Sequence, residues 1–206
     1  DSAVEKGLEK ESRSAYLQSS YIDKWAGFPL YQNTQTKYYS CGEEMFPDML
    51  EALRGAKHFI FLEYFIIEEG YMFNTILDIL EEKAKAGVDV RFIYDDVGSI
   101  NSISFGYYKK LQERGIPCVT FNPFKPLISV VMNNRDHRKI FVVDGYIGFT
   151  GGINLADEYI NKVKRFGYWK DTGVRIEGEA VWSLTAMFLE MWNYINRSTE
   201  DYSRFL

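Results

Sequence analysis

The chain has 206 residues, enough for one sizeable core, and its 46% apolar and 26% charged residues are the mix of an ordinary folded domain. A net charge of −5 argues against a general nucleic-acid binder, because neutralising phosphates takes clustered Lys and Arg. Two cysteines far apart, Cys41 and Cys118, give no disulfide framework and suit a reducing environment; two histidines without a CxxC pair leave no metal-ligand set standing out.

In chain order, residues 1–20 are polar and charged and read as a helix or an arm. A turn at Gly27-Phe28-Pro29 precedes a short strand over 37–40. Residues 43–56 have helical spacing, with Met45, Met49, Leu50 and Leu53 on one side. The run 58–67 is nearly continuous apolar sequence interrupted by Glu63, and its length and aromatic content predict a buried strand. An amphipathic helix over 73–86, closed by Gly87, leads to a strand over 88–94. A helix over 104–114, closed by Gly115, leads to a strand over 117–121. This β-α-β-α-β rhythm predicts an α/β fold with a largely parallel sheet. Strands over 139–143 and 146–150 flank the hairpin dipeptide Asp144-Gly145. A strand over 172–176 and a helix over 179–194, burying Trp182, Phe188 and Trp192, close the chain. No internal repeat is visible, and no uncharged apolar run is long enough to span a bilayer. A first residue of Asp rather than Met suggests a trimmed chain, whose membrane anchor, if it had one, lay in the missing part.

The chemically informative stretch is His137-Arg138-Lys139-Ile140-Phe141-Val142-Val143-Asp144, followed by Gly151-Gly152-Ile153-Asn154. His137 and Lys139 stand two apart at the start of a strand, so they share a face. The returning strand ends at a glycine pair, where a ligand can approach the backbone, with the Asn154 amide just beyond. Imidazole, ammonium, amide and backbone N–H groups converging in this way form a receptor for a tetrahedral anion beside a nucleophile.

These residues fill every position of H-x-K-x4-D and G-G/S-x-N, the signature that the phospholipase D superfamily carries, and the chain is identified as resembling that superfamily. Beyond the motif, residues 61–66, 87–91, 95–99, 135–139 and 151–159 resemble bacterial cardiolipin synthases, and the likeness runs from about Tyr38 to Trp192. The resemblance implies a phospholipase-D-like mixed sheet with helices on both faces, an N-terminal arm or helix over 1–36 and a single catalytic domain over 37–206. It implies transfer of a phosphatidyl group between two phosphatidylglycerols through a phosphohistidine, with no metal and no cofactor. Partners would be phosphatidylglycerol and other phospholipids, the membrane surface at the cytoplasmic face of a bacterial cell, and a second motif-bearing half; no nucleic acid is expected. The synthases carry two motifs and this chain carries one, so the second half comes either from a C-terminal domain or from a second copy.

The site residues so implied are His137 as nucleophile or acid/base, Lys139, Asn154, Gly151 and Gly152 at the phosphate, and Asp171 as the carboxylate holding the histidine ring. Asp144 matches the motif aspartate, which in the family is usually structural. Two readings stay open for Glu63: an acceptor behind the site, or a structural bond to backbone or to an arginine such as Arg91. Residues 121–132, poor in charge, read equally as a lip for acyl chains or bilayer and as a surface packed on the second half. Two further functions remain as alternatives: a homodimeric single-motif phosphodiesterase or nuclease, and a non-catalytic module that binds lipid head groups.

Overall fold

The computed structural model describes residues 2–124 and 133–206. Helices α1 (Ser2–Glu11) and α2 (Arg13–Ala26) pack against one another, and α2 buries no residue. Then follow β1 (Thr34–Tyr39), α3 (Gly42–Gly55), β2 (Phe59–Tyr64), α4 (Tyr71–Lys85), β3 (Asp89–Asp95), α5 (Tyr107–Glu113) and β4 (Cys118–Phe121). The second part comprises β5 (Ile140–Val143), β6 (Ile147–Gly151), β7 (Gly173–Gly178) and α6 (Val181–Asn196), with short 3-10 turns at Asp157–Ile160 and Tyr202–Phe205.

The seven strands form one sheet in the order β1-β7-β6-β5-β2-β3-β4. Only β2-β3 and β3-β4 pair in parallel; β2-β5, β5-β6, β6-β7 and β1-β7 are antiparallel. The α/β class holds, but the expectation of a largely parallel sheet is corrected to a mixed, mostly antiparallel one. Among neighbouring strands, crossover helices join only β2 to β3 and β3 to β4, and parallel pairing needs such crossovers. From β5 onward the chain returns by the Asp144-Gly145 turn, with both residues at positive φ (52° and 65°), so its strands run antiparallel.

Alternation along the strands splits the core in two. Ile60, Leu62 and Tyr64 of β2, with Phe92, Tyr94, Phe141 and Phe149, face α3, α4 and α5. Phe59 and Phe61, with Ile93, Ile140 and Val142, face α6, where Phe61 stacks on Phe188 at 4.6 Å between centroids. Helices therefore cover both faces. Phe188 is fully buried, whereas Trp182 and Trp192 are partly buried at the margin of this second core. Arg91 lies over the rings of Phe61, Trp192 and Phe205 and pairs with Asp89 and Glu200. Of the segment 121–132, residues 125–132 lie outside the described ones. Among the described residues no helix is long and apolar enough to cross a membrane.

Candidate active site

His137, Arg138 and Lys139 lead into β5, and the alternation sends their side chains to opposite faces. Lys139 and His137 meet on the face shared with Phe141: Lys139 Nζ lies 3.2 Å from His137 Nδ1 and donates to the His137 carbonyl at 2.7 Å. The imidazole is exposed and packs on the Phe65 ring at 4.6 Å, and the same ring lies 5.4 Å from Lys139 Nζ. Lys139 itself is only 4% exposed. Burial lowers its pKa to about 8, against the opposing pull of the Asp171 and Asp136 charges.

The segment that carries Phe65 is held from both sides. Ile66 N–H donates to Asn154 Oδ1 at 3.0 Å, and Ile67 N–H to Ser99 Oγ at 3.1 Å. Asn154 is buried, and its Nδ2 donates to the Tyr159 hydroxyl at 2.8 Å. Its second Nδ2 hydrogen has no partner among the described residues. The loop before His137 hangs on Asp95 at the end of β3, whose carboxylate accepts from Asp136 N–H (2.9 Å) and Gly98 N–H (2.8 Å) and faces Arg135 Nη1 (3.1 Å). Burial raises the Asp95 pKa, while those backbone donors and Arg135 oppose the rise.

Asp171 lies half-buried beside this group, accepting from Thr172 N–H at 2.8 Å and, at a long 3.5 Å, from Trp169 Nε1. Among the described residues no hydrogen bond joins it to His137, and the field it exerts falls on Lys139. Among the described residues Asp171 forms no ion pair with the neighbouring Lys170. The glycine pair has a different use from the one its flexibility suggests. A Cβ on Gly151 would lie 2.4 Å from the Thr172 carbonyl, and one on Gly152 would lie 2.0 Å from Asp171 Oδ1. Gly152 N–H is taken by Thr172 O at 3.0 Å. Both glycines thus make room for the approach to β7 and for the Asp171 carboxylate.

Arg138, on the opposite face, meets Glu63. The carboxylate is fully buried, and Arg138 Nε lies 2.7 Å from its Oε1 while directing its hydrogen bond to Asp136 Oδ1 at 3.1 Å. Neither Glu63 oxygen has a hydrogen bond in good geometry among the described residues. Burial, reinforced by Asp136 and opposed by Arg138, pushes Glu63 up to about 9, so at neutral pH it is a protonated acid behind the motif. An arginine does partner Glu63, and it is Arg138 rather than Arg91. Asp144 lies at the far end of β5, roughly 16 Å along the strand from Lys139. Its carboxylate accepts from the backbone N–H groups of Lys57, His58 and Phe59 at 2.8, 2.7 and 2.9 Å, fixing the start of β2. His58 takes part through its backbone alone, that N–H and a carbonyl that accepts from Asp89 N–H at 3.0 Å, and is exposed. Among the described residues no group of three or more His, Cys, Asp or Glu is placed to hold a metal.

Sequence reasoning missed Phe65, Asp95, Asp136 and Tyr159. Each is a packing or tethering residue, and the one available signal was Asp95 standing as a carboxylate at the end of an apolar strand.

Residues 49–192 match the family model described as "Cardiolipin synthase, PLD-like domain". This chain belongs to the cardiolipin synthase family of phospholipase-D-like domains. An uncharacterized protein of Streptococcus mutans is 48% identical over 94% of this chain and 42% of its own length. A cardiolipin synthase of Alkalihalophilus pseudofirmus is 42% identical over 92% of this chain and 38% of its own. The chain therefore spans about two fifths of the curated relatives it matches. The fold is shared with NucT from Helicobacter pylori (TM-score 0.58, 12% identity, covering 78% of this chain and 97% of that one). It is shared also with the phospholipase D family member Nuc from Salmonella typhimurium (TM-score 0.56, 22% identity, covering 82% and 97%).

Proposed function

We propose that this chain supplies one half of a two-histidine site that moves a phosphatidyl group from one phosphatidylglycerol to a second, releasing glycerol. The observation that carries the reading is the His137–Lys139 pair: an exposed imidazole with a buried ammonium 3.2 Å from its Nδ1, at the head of a strand fixed by Asp95. Kinship with proteins named cardiolipin synthase supplies the substrate class.

In the first step a histidine nitrogen forms a bond to phosphorus as the bond from phosphorus to the glycerol oxygen breaks. The partner histidine gives that oxygen its proton. In the second step the hydroxyl of another phosphatidylglycerol attacks phosphorus, its proton passes to the partner histidine, and the P–N bond breaks. Lys139 neutralises the phosphate charge, and the free Nδ2 hydrogen of Asn154 is the amide donor to it. With Lys139 donating to Nδ1, His137 carries its proton on Nε2, the form that donates to a leaving group. Attack by Nε2 requires that proton on Nδ1 instead, with a carboxylate such as Asp171 to accept the Nδ1–H hydrogen bond. The catalytic domain over 37–206 would work at the cytoplasmic face of a bacterial membrane, completed by a second motif-bearing half in the same polypeptide or in another copy.

The test is product analysis with phosphatidylglycerol in mixed micelles, for this chain alone and with a second motif-bearing half added, each beside His137→Ala. Cardiolipin and glycerol that vanish in His137→Ala support the reading. Phosphatidylglycerol left intact in both settings, with metal-independent plasmid cleavage abolished by His137→Ala, would replace it with a homodimeric phosphodiesterase.

A further inference from the structure

Between Asn161 and Asp171 the chain makes a loop whose composition departs from the rest of the molecule. Residues 162–170 carry Lys162, Lys164, Arg165 and Lys170 and no acid; with this +4 taken out of the net −5, the remainder of the chain carries −9. Within the same loop Val163, Phe166 and Tyr168 are 50%, 76% and 63% exposed. Large apolar side chains interleaved with cations are poor decoration for a surface facing only water.

The loop is also built to hold a shape. Asn161 closes its neck, its Oδ1 accepting from Trp169 N–H at 2.6 Å and its Nδ2 donating to Trp169 O at 2.9 Å. Trp169 packs on Tyr159 at 4.9 Å, and Tyr159 accepts from Asn154. The neck thus joins the loop to Asn154 on one side and to Asp171 on the other. Lys162 lies over the Tyr71 ring at 4.3 Å, and Arg165 reaches Glu68 and Glu158 at 3.3 and 3.5 Å. Lys164 and Lys170 have no ion-pair partner among the described residues.

We infer that this loop is the surface by which the domain docks on an anionic phospholipid bilayer, with Phe166, Tyr168 and Val163 entering the head-group boundary and Lys164 and Lys170 pairing with lipid phosphates. Charge complementarity selects the partner. The loop concentrates four cations and no acid on an otherwise acidic chain, and the exposed rings suit an interface that is apolar on one side and wet on the other. Docking there would bring lipid phosphates beside Asn154 and Asp171. The inference rests on the phosphatidyl-transfer reading only for the choice of phosphatidylglycerol as the anionic lipid.

The experiment is co-sedimentation of this chain with vesicles of phosphatidylglycerol in phosphatidylcholine, against phosphatidylcholine alone, for the parent, Lys164→Gln/Lys170→Gln and Phe166→Ser. At about five-fold per cation near such a surface, the double variant is expected to bind the mixed vesicles about 25-fold more weakly and with a shallower salt dependence. Phe166→Ser is expected to weaken binding at every salt concentration. All three substituted side chains are exposed, so folding is not at stake. Equal binding of the parent to neutral vesicles, or variants that bind as the parent does, would overturn the inference. Variants that keep vesicle binding but lose the second motif-bearing half would also overturn it and assign the loop to packing between halves. Because sedimentation needs no turnover, absent phosphatidyl transfer with the expected binding pattern would count against the transfer reading alone.

Discussion

Gly152 and Asp171 are in contact with no room between them: a Cβ at position 152 would stand 2.0 Å from Asp171 Oδ1. The carboxylate is anchored just ahead of β7 through Thr172 N–H, so an added methyl must displace it or that segment. With Asp171 in the orienting role proposed above, Gly152→Ala is expected to lower kcat by at least about 10²-fold, the scale set by misplacing a catalytic group by about 1 Å. Asp171→Asn is expected to lose more, since removing an orienting carboxylate from a comparable triad costs roughly 10⁴-fold. Steady-state kinetics of the assembled enzyme decide it; a Gly152→Ala enzyme with parental kcat would separate Asp171 from catalysis.

Asp144 gives the opposite expectation. It satisfies three backbone donors at the start of β2 and touches nothing near His137. Asp144→Ala is expected to lower unfolding stability by about 2–4 kcal/mol, the cost of orphaning several N–H groups that bonded a carboxylate. Turnover per folded molecule should stay close to the parent's. Thermal melts read beside activity at low temperature check both halves of this statement.

Lys139 ties binding to pH. Burial holds its pKa at about 8, so in the unliganded chain the ammonium proposed to meet phosphate is lost as pH rises through that value. KM is expected to climb above pH about 8. In Lys139→Arg, whose charge does not titrate in this range, activity at neutral pH should fall because the guanidinium fits the site poorly, but the rise in KM should disappear.

Glu63 ties stability to pH. Its folded pKa of about 9 lies above the ordinary carboxylate value, so the folded state holds a proton that the unfolded chain releases. Its share of the stability is complete below the unfolded pKa near 4.5 and is lost as pH rises through about 9. The slope is at most about 1.4 kcal/mol per pH unit for one proton. Glu63→Gln should flatten the fall in stability between these limits, as denaturant titrations at several pH values would show.

The sequence made the grouping of the candidate site legible because it is local. His137, Lys139, Gly151, Gly152 and Asn154 are close in the chain, and their spacing follows strand alternation and a two-residue turn. Helix α4 and strands β2 to β4 were equally plain, since periodicity and terminal glycines mark them. Strand direction was less legible. Crossover helices announced the two parallel pairings, but the antiparallel pairing of β5 with β2 joins residues about eighty positions apart and leaves no pattern in either strand. The tethers to Asp95 and Asp144 and the approach of Asp171 to Gly152 were hidden for the same reason. Glu63 stood out as a charge in an apolar strand, yet its partner Arg138 showed itself only once β2 and β5 were side by side.

Whether His137 drives phosphatidyl transfer is decided by measuring cardiolipin and glycerol formed from phosphatidylglycerol by the assembled two-half enzyme, with and without His137→Ala in this chain. Equal amounts of both products are expected from the parent and none above background from the variant, while vesicle binding and melting temperature remain parental. Cardiolipin formed at the parental rate by His137→Ala would contradict that role.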